Sequence, residues 1–146
     1  MIDVRSSREI TRALPEVFEF MADLDKLPLW LDGVKEAKSI SGDPREVGAL
    51  IAHENEFMGQ TFESRFEVLD WQDNSCMIFR VLSGPLRGES RETFEAIDGQ
   101  TTRVEIQVVG DVVGLFKAGR WIAGRAAQVQ LDRSLDNLKE LLEAER

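Results

Sequence analysis

The stretch Leu115 to Glu145, LFKAGRWIAGRAAQVQLDRSLDNLKELLEAE, decides the fold. Phe116, Arg120, Gly124, Ala127, Leu131, Leu135, Leu138 and Leu142 recur in it at intervals of three and four, the spacing that gathers side chains on one face of an α-helix. The C-terminal half is leucine-rich, whereas the N-terminal half carries Ala118, Gly119, Ala123, Gly124, Ala126 and Ala127. A glycine inside a helix costs about 1 kcal/mol relative to alanine, so something must offset Gly119 and Gly124. Two readings stand: close packing against a sheet, or room left for a ligand.

Upstream of about Gly114 the period changes from helical to alternating. Turn signals at Gly42-Asp43-Pro44, Met58-Gly59, Asp73-Asn74, Ser83-Gly84-Pro85 and Asp98-Gly99 punctuate the chain at hairpin spacing. Between them the pattern predicts strands near 34–41, 48–57, 61–70, 76–82, 87–97 and 101–109. Phe62, Ser64, Phe66 and Val68 alternate with Glu63, Arg65 and Glu67, and Val104, Ile106 and Val108 with Arg103, Glu105 and Gln107. Such alternation describes antiparallel strands with one buried and one wet face. A further strand is expected over Ile2 to Thr11. Pro15 suits a first helical turn, with Val17, Phe20, Met21 and Leu24 following at helical spacing. A second short helix is expected near Asp25 to Leu31, with Asp25 as its N-cap and Gly33 ending it. The sum is an α+β chain: seven antiparallel strands, two short helices after the first, and one long C-terminal helix. A curved sheet closed by a single helix leaves an internal space, so a hydrophobic cavity is the leading functional expectation.

Composition narrows the classes. The chain has 146 residues, 42% hydrophobic and 31% charged, with a formal charge of -9; this describes one globular domain, 1–146. The acidic balance and the lack of a run of Lys and Arg argue against nucleic acid and anionic membranes as partners. With Cys76 the single cysteine and His53 the single histidine, no Cys/His metal site is expected, and no cofactor motif appears. The start Met1-Ile2-Asp3-Val4-Arg5 has no apolar leader, and nowhere do eighteen apolar residues run together. A cytoplasmic, soluble protein without membrane insertion is the expectation.

Several stretches are similar to one known family. Ala13-Leu14-Pro15-Glu16-Val17-Phe18-Glu19-Phe20 resembles the first helix of START-like (SRPBCC) proteins, in their polyketide cyclase/dehydrase and lipid-transport branch. Leu27-Pro28-Leu29-Trp30-Leu31-Asp32-Gly33-Val34 resembles the Trp-bearing second helix and its exit into the next strand. Arg91-Glu92-Thr93-Phe94-Glu95 with Asp98-Gly99-Gln100-Thr101-Thr102 resembles the late hairpin, and Asn137-Leu138-Lys139-Glu140-Leu141-Leu142 the closing helix. The resemblance implies a helix-grip fold, in which the seven-stranded curved sheet wraps the long helix. It also implies a cavity used for lipids, polyketides or other hydrophobic molecules, in proteins that are enzymes, carriers or assembly accessories. These are packing and turn motifs, so fold alone does not choose among those roles.

Polar residues on the buried parity are the candidates for chemistry. If Ile51 and Phe57 face inward, so do His53 and Asn55; if Phe94 does, so does Glu92, with Ser90 beside it. Ser64 joins through Phe62 and Phe66, and Arg120 through the helical stripe. An enzymatic reading makes His53 the proton shuttle, Glu92 its orienting partner or a base of raised pKa, and Arg120 the holder of a carboxylate, phenolate or enolate oxygen, a constellation that would suit aldol cyclisation or dehydration of a polyketide-like substrate. A binding reading makes these residues a polar patch among Trp30, Phe57, Phe66, Phe79, Phe94, Phe116 and Gly124. The competing structural readings are plain: His53 and Glu92 satisfying one another, Arg120 snorkelling to solvent, and the aromatics filling a core. The strand near 76–82 is apolar on both parities, so its outer face, near Ile78 and Leu82, is a candidate surface for a homodimer or partner protein.

Overall fold

The computed structural model describes residues 1–114 and 119–144. The strands are β1 (Ile2–Ile10), β2 (Val34–Ser41), β3 (Leu50–Phe57), β4 (Gln60–Gln72), β5 (Cys76–Val81), β6 (Leu86–Asp98) and β7 (Thr101–Val112). They form one antiparallel sheet in the order β1-β7-β6-β5-β4-β3-β2. From β2 to β7 each strand pairs with the next, as short hairpin connections dictate. Met58 and Gly59, at φ 51° and 79°, make the two-residue turn between β3 and β4. Both central residues lie in the left-handed region, as a primed hairpin turn demands. Register shifts at Val34/Glu36, Ser39/Ser41, Val68/Asp70 and Ala96/Asp98 are bulges, and each bends its strand and adds twist, which curls the sheet.

β1 and β2 follow one another in the chain yet occupy opposite edges of the sheet. Their connection therefore crosses the concave side, through α1 (Leu14–Ala22), a 3-10 turn (Leu24–Lys26) and α2 (Leu27–Trp30). Pro15 sits in the first turn of α1. The cap of the 3-10 turn is Asp23 rather than the expected Asp25: its side chain accepts from Asp25 N at 3.0 Å. The turn opens at Leu24, two residues ahead of where an Asp25 cap would start it, and this moves the cap.

Helix α3 (Arg120–Ala144) plugs the seam between the two sheet edges. It runs parallel to β1: Gly124 packs on Ile2, Gln128 Nε2 donates to Arg5 O at 2.7 Å, and Arg8 Nε pairs with Asp136 at 2.8 Å. At the far end Thr11 N donates to Glu143 at 2.9 Å. A nine-residue strand and a helix of about twenty residues have the same length, near 30 Å, so the match holds along the whole edge. The opposite flank of α3 bonds to the α2–β2 junction and to the end of β3. Asp32 N donates to Ser134 Oγ at 2.8 Å, Asn137 Nδ2 to Trp30 O at 3.3 Å, and Gln130 Nε2 to Glu56 O at 2.8 Å. Between these flanks Leu131, Leu135, Leu138 and Leu142 are buried in the main core with Phe18, Met21, Trp30 and Val104. This is the leucine stripe of the sequence, placed where the sheet edges leave a gap.

Candidate functional site: a cavity between sheet and helices

Leucines fill only the C-terminal half of the space under α3. Beside them lies a cavity of about 240 Å³, and every one of the seven strands supplies a residue to its wall. Ile51, His53, Asn55 and Phe57 face it from β3, Ser64, Phe66 and Trp71 from β4, and Met77, Phe79 and Val81 from β5. β6 contributes Ser90 and Glu92, β7 Ile106 and Val108, and the short helices Met21, Leu27 and Trp30. From α3 come Ala127, Gln130, Leu131 and Ser134, a stripe of spacing 3, 1 and 3 that belongs to one helix face. An apolar wall with a few placed polar groups is the usual composition of a small-molecule site.

The polar groups fall into two sets. Ser64 Oγ donates to Asn55 Oδ1 at 3.0 Å, and the His53 ring lies 4.5 Å from that of Phe66. Glu92 stands apart, between Met77 on β5 and Ile106 on β7. His53 and Glu92 are each half-buried, yet protein encloses both, so the accessible part of each side chain faces the cavity rather than bulk water. Burial alone drives their titration: it pushes the Glu92 carboxyl up to about 7 and holds the His53 imidazole down to about 4. At neutral pH the histidine is therefore uncharged, and the glutamate is poised between its two forms.

The expected pairing of these two residues does not form. β4 and β5 lie between their strands. Traced onto β4, His53 aligns with Ser64 whereas Glu92, through Met77, aligns with Trp71. That offset is about 20 Å along the strands at about 3.3 Å per residue, and no hydrogen bond or ion pair joins the two. A single-residue reading of parity put both on the inner face correctly but carries no information on separation.

Trp30, Asn55, Phe57, Ser64, Phe66 and Phe79 all line the cavity. The Trp30 Nε1 donor is buried without an acceptor among the described residues. Phe94 does not line the cavity: it is core, 4.9 Å edge-on from Phe18. Gly124 resolves toward close packing, since a Cβ there would meet Ile2 at 3.3 Å. Arg120 is exposed and off the cavity, although it shares the angular face of Leu131. The reason is axial: Gly124 already meets the first residue of β1, and Arg120 sits one turn, about 6 Å, beyond it. Phe116 lies outside the described residues. Gln130, Ser134 and Asp32 also line the wall and were not singled out from sequence, though the position of Gln130 and Ser134 one and three residues from Leu131 was a signal.

Two further features bear on chemistry. Cys76 is half-buried, and burial with the nearby Asp70 raises its thiol pKa, which keeps it protonated and unreactive. Among the described residues no three of His, Cys, Asp and Glu come together to hold a metal. Outside the cavity, an open groove between the first turns of α3 and the β3–β4 turn carries Trp121, 69% exposed, with Lys35, Arg125 and Arg133.

The family profile for "Polyketide cyclase / dehydrase and lipid transport" matches residues 1–143. The chain belongs to that family. Its solved relatives agree in fold. A START superfamily protein from Mycobacterium smegmatis superimposes with a TM-score of 0.84 at 14% identity, covering 99% of each chain. A protein from Thermus thermophilus gives 0.80 at 22% identity, covering 97% of each. The di-domain ARO/CYC BexL of the BE-7585A biosynthetic pathway gives 0.73 at 14% identity, covering 99% of this chain and 51% of BexL. No curated protein sequence matches. The START-like helix-grip architecture is thus the fold of this family member, with its seven-stranded sheet and long closing helix. No helix among the described residues is long and apolar enough to cross a membrane.

Proposed function

We propose that this family member binds, and carries, a small hydrophobic molecule of lipid-, polyketide- or aromatic-like character in the cavity between sheet and α3. One observation carries the reading: an apolar space of about 240 Å³ is lined from all seven strands and left unfilled by the leucine core beside it. An apolar cavity of about 150 Å³ accommodates benzene, so this one suits a ligand of about two fused rings or a short alkyl chain. Family membership and the kinship of fold with an ARO/CYC protein support the same class of ligand. Native mass spectrometry of protein purified without detergent, followed by extraction, tests it: a stoichiometric small-molecule adduct is expected. A bare polypeptide mass, with no thermal shift across lipids and aromatic polyketides, contradicts it.

A second reading, a cyclase- or dehydratase-type enzyme, has one observation in its favour. Glu92 titrates near 7 in an apolar wall, which is where a general acid or base works best. His53 stands too far away to share that proton. On this reading Glu92→Gln abolishes turnover of a polyketide-like substrate while leaving binding in place.

A further inference from the structure

The charge distribution inside the cavity narrows the ligand class beyond "hydrophobic". Among the described residues that line the wall there is no lysine and no arginine, whereas two acids, Glu92 and Asp32, face it. His53, the remaining titratable group, stays uncharged because burial disfavours its imidazolium. Glu92 has Met77 and Ile106 as its cross-strand neighbours, both buried and apolar. Its carboxyl forms no hydrogen bond to the described protein groups. Ser90, two residues away, is the nearest polar side chain on the cavity face of β6.

A carboxyl group held in such a wall lacks a partner that only cavity contents can supply. A hydroxyl group both donates and accepts, so it satisfies a carboxylic acid and a carboxylate alike. A carboxylate ligand only accepts, so it can pair with Glu92 only while Glu92 keeps its proton. It brings a second negative charge beside Glu92, with no basic side chain among the described wall residues to offset it, and one of the two must then hold a proton. We propose that Glu92 determines ligand specificity: the cavity takes uncharged hydrophobic molecules bearing a hydroxyl group and excludes carboxylates of the same shape.

This rests on the cavity-binding reading above, and a matched pair of probes separates the two. The ligands are naphthalene, 2-naphthalenemethanol and 2-naphthoate, titrated calorimetrically into the whole chain at pH 7.5. The alcohol is expected to bind at least about tenfold more tightly than the carboxylate, since a site that leaves a buried polar group unpaired, or opposes like charges, discriminates at that level or more. In Glu92→Gln the ratio is expected to shrink to about threefold or less, because the amide keeps the shape and removes the charge. Equal or tighter binding of naphthoate to the wild type overturns the inference, as does a ratio unchanged in Glu92→Gln. Failure of naphthalene itself to bind overturns the cavity reading and this inference with it. Should Glu92→Gln fold poorly, the wild-type ratio is read at pH 5.5 and pH 8.5: a ratio that grows as the Glu92 carboxyl ionises is expected, and a ratio independent of pH overturns the inference.

Discussion

Ser64 donates a 3.0 Å hydrogen bond to the Oδ1 of Asn55 across the β3–β4 ladder, and both side chains face the cavity. The bond joins a buried hydroxyl to a half-buried amide and fixes the amide orientation in the wall. Removing either partner strands the other. A double-mutant cycle on Ser64→Ala and Asn55→Ala is expected to give a coupling of about 0.5–1.5 kcal/mol by urea unfolding. Strict additivity of the two single substitutions contradicts the bond.

The cavity acids and bases make stability depend on pH in opposing directions. Burial raises Glu92 from 4.5 to about 7. Between those values the folded chain keeps a proton that the unfolded chain releases, so this group lowers stability as pH rises. His53 is lowered from 6.5 to about 4. There the unfolded chain holds the proton, so stability falls as pH drops below 6.5. The two slopes offset each other between about 4.5 and 6.5. Glu92→Gln removes one of them: relative to wild type it is expected to be more stable at pH 8 than at pH 5, by on the order of 2–3 kcal/mol at 1.36 kcal/mol per pH unit. Denaturant unfolding at the two pH values measures the difference, and a pH-independent one contradicts the assignment.

Gly88 and Gly110 face one another across β6 and β7. A Cβ at either position would run into the backbone of the other strand. Gly88→Ala and Gly110→Ala are each expected to cost about 1–3 kcal/mol, the range for overpacked sites, although alanine at an ordinary strand position is tolerated. A thermal melt unchanged from wild type contradicts this close approach.

Leu135, fully buried, lies on the part of α3 that fills the gap between the sheet edges, whereas Val129 is 48% exposed. Leu135→Ala is expected to destabilise the fold by about 2–5 kcal/mol, and Val129→Ala by less than about 0.5 kcal/mol. Equal costs would place the helix face wrongly.

Much of this architecture was legible from period and punctuation. The strand positions, the β3–β4 turn at Met58-Gly59 and the leucine stripe follow from local chemistry, because alternation and glycine placement act over a few residues. The inward facing of His53, Asn55, Ser64 and Glu92 followed from parity. What escaped is what depends on distance through space. The His53–Glu92 separation is set by strand order and a bulge in β4. The exposure of Arg120 is set by where β1 ends, which the helical wheel does not see. Phe94 shows the same limit, since a buried parity does not distinguish core from cavity wall. The outer face of β5 is a further case. Ile78 reads as one member of an apolar patch, yet its cross-strand neighbours are Asp70 and Arg91, so charge interrupts it. The cluster of Lys35, Arg125 and Arg133 beside Trp121 is assembled from two distant segments and gives no run in the chain.

The central claim, that the interior rather than the surface receives a hydrophobic molecule, is tested most directly by methyl NMR. Naphthalene is titrated into protein with labelled Ile, Leu and Val methyl groups. Saturable shifts are expected at Ile51, Val81, Ile106 and Val108, which line the cavity, with none at Ile40, Ile97, Ile122 and Val129, which are exposed. Silence of the interior methyl groups, or shifts confined to Ile122 and Val129 in the outer groove, would contradict the account.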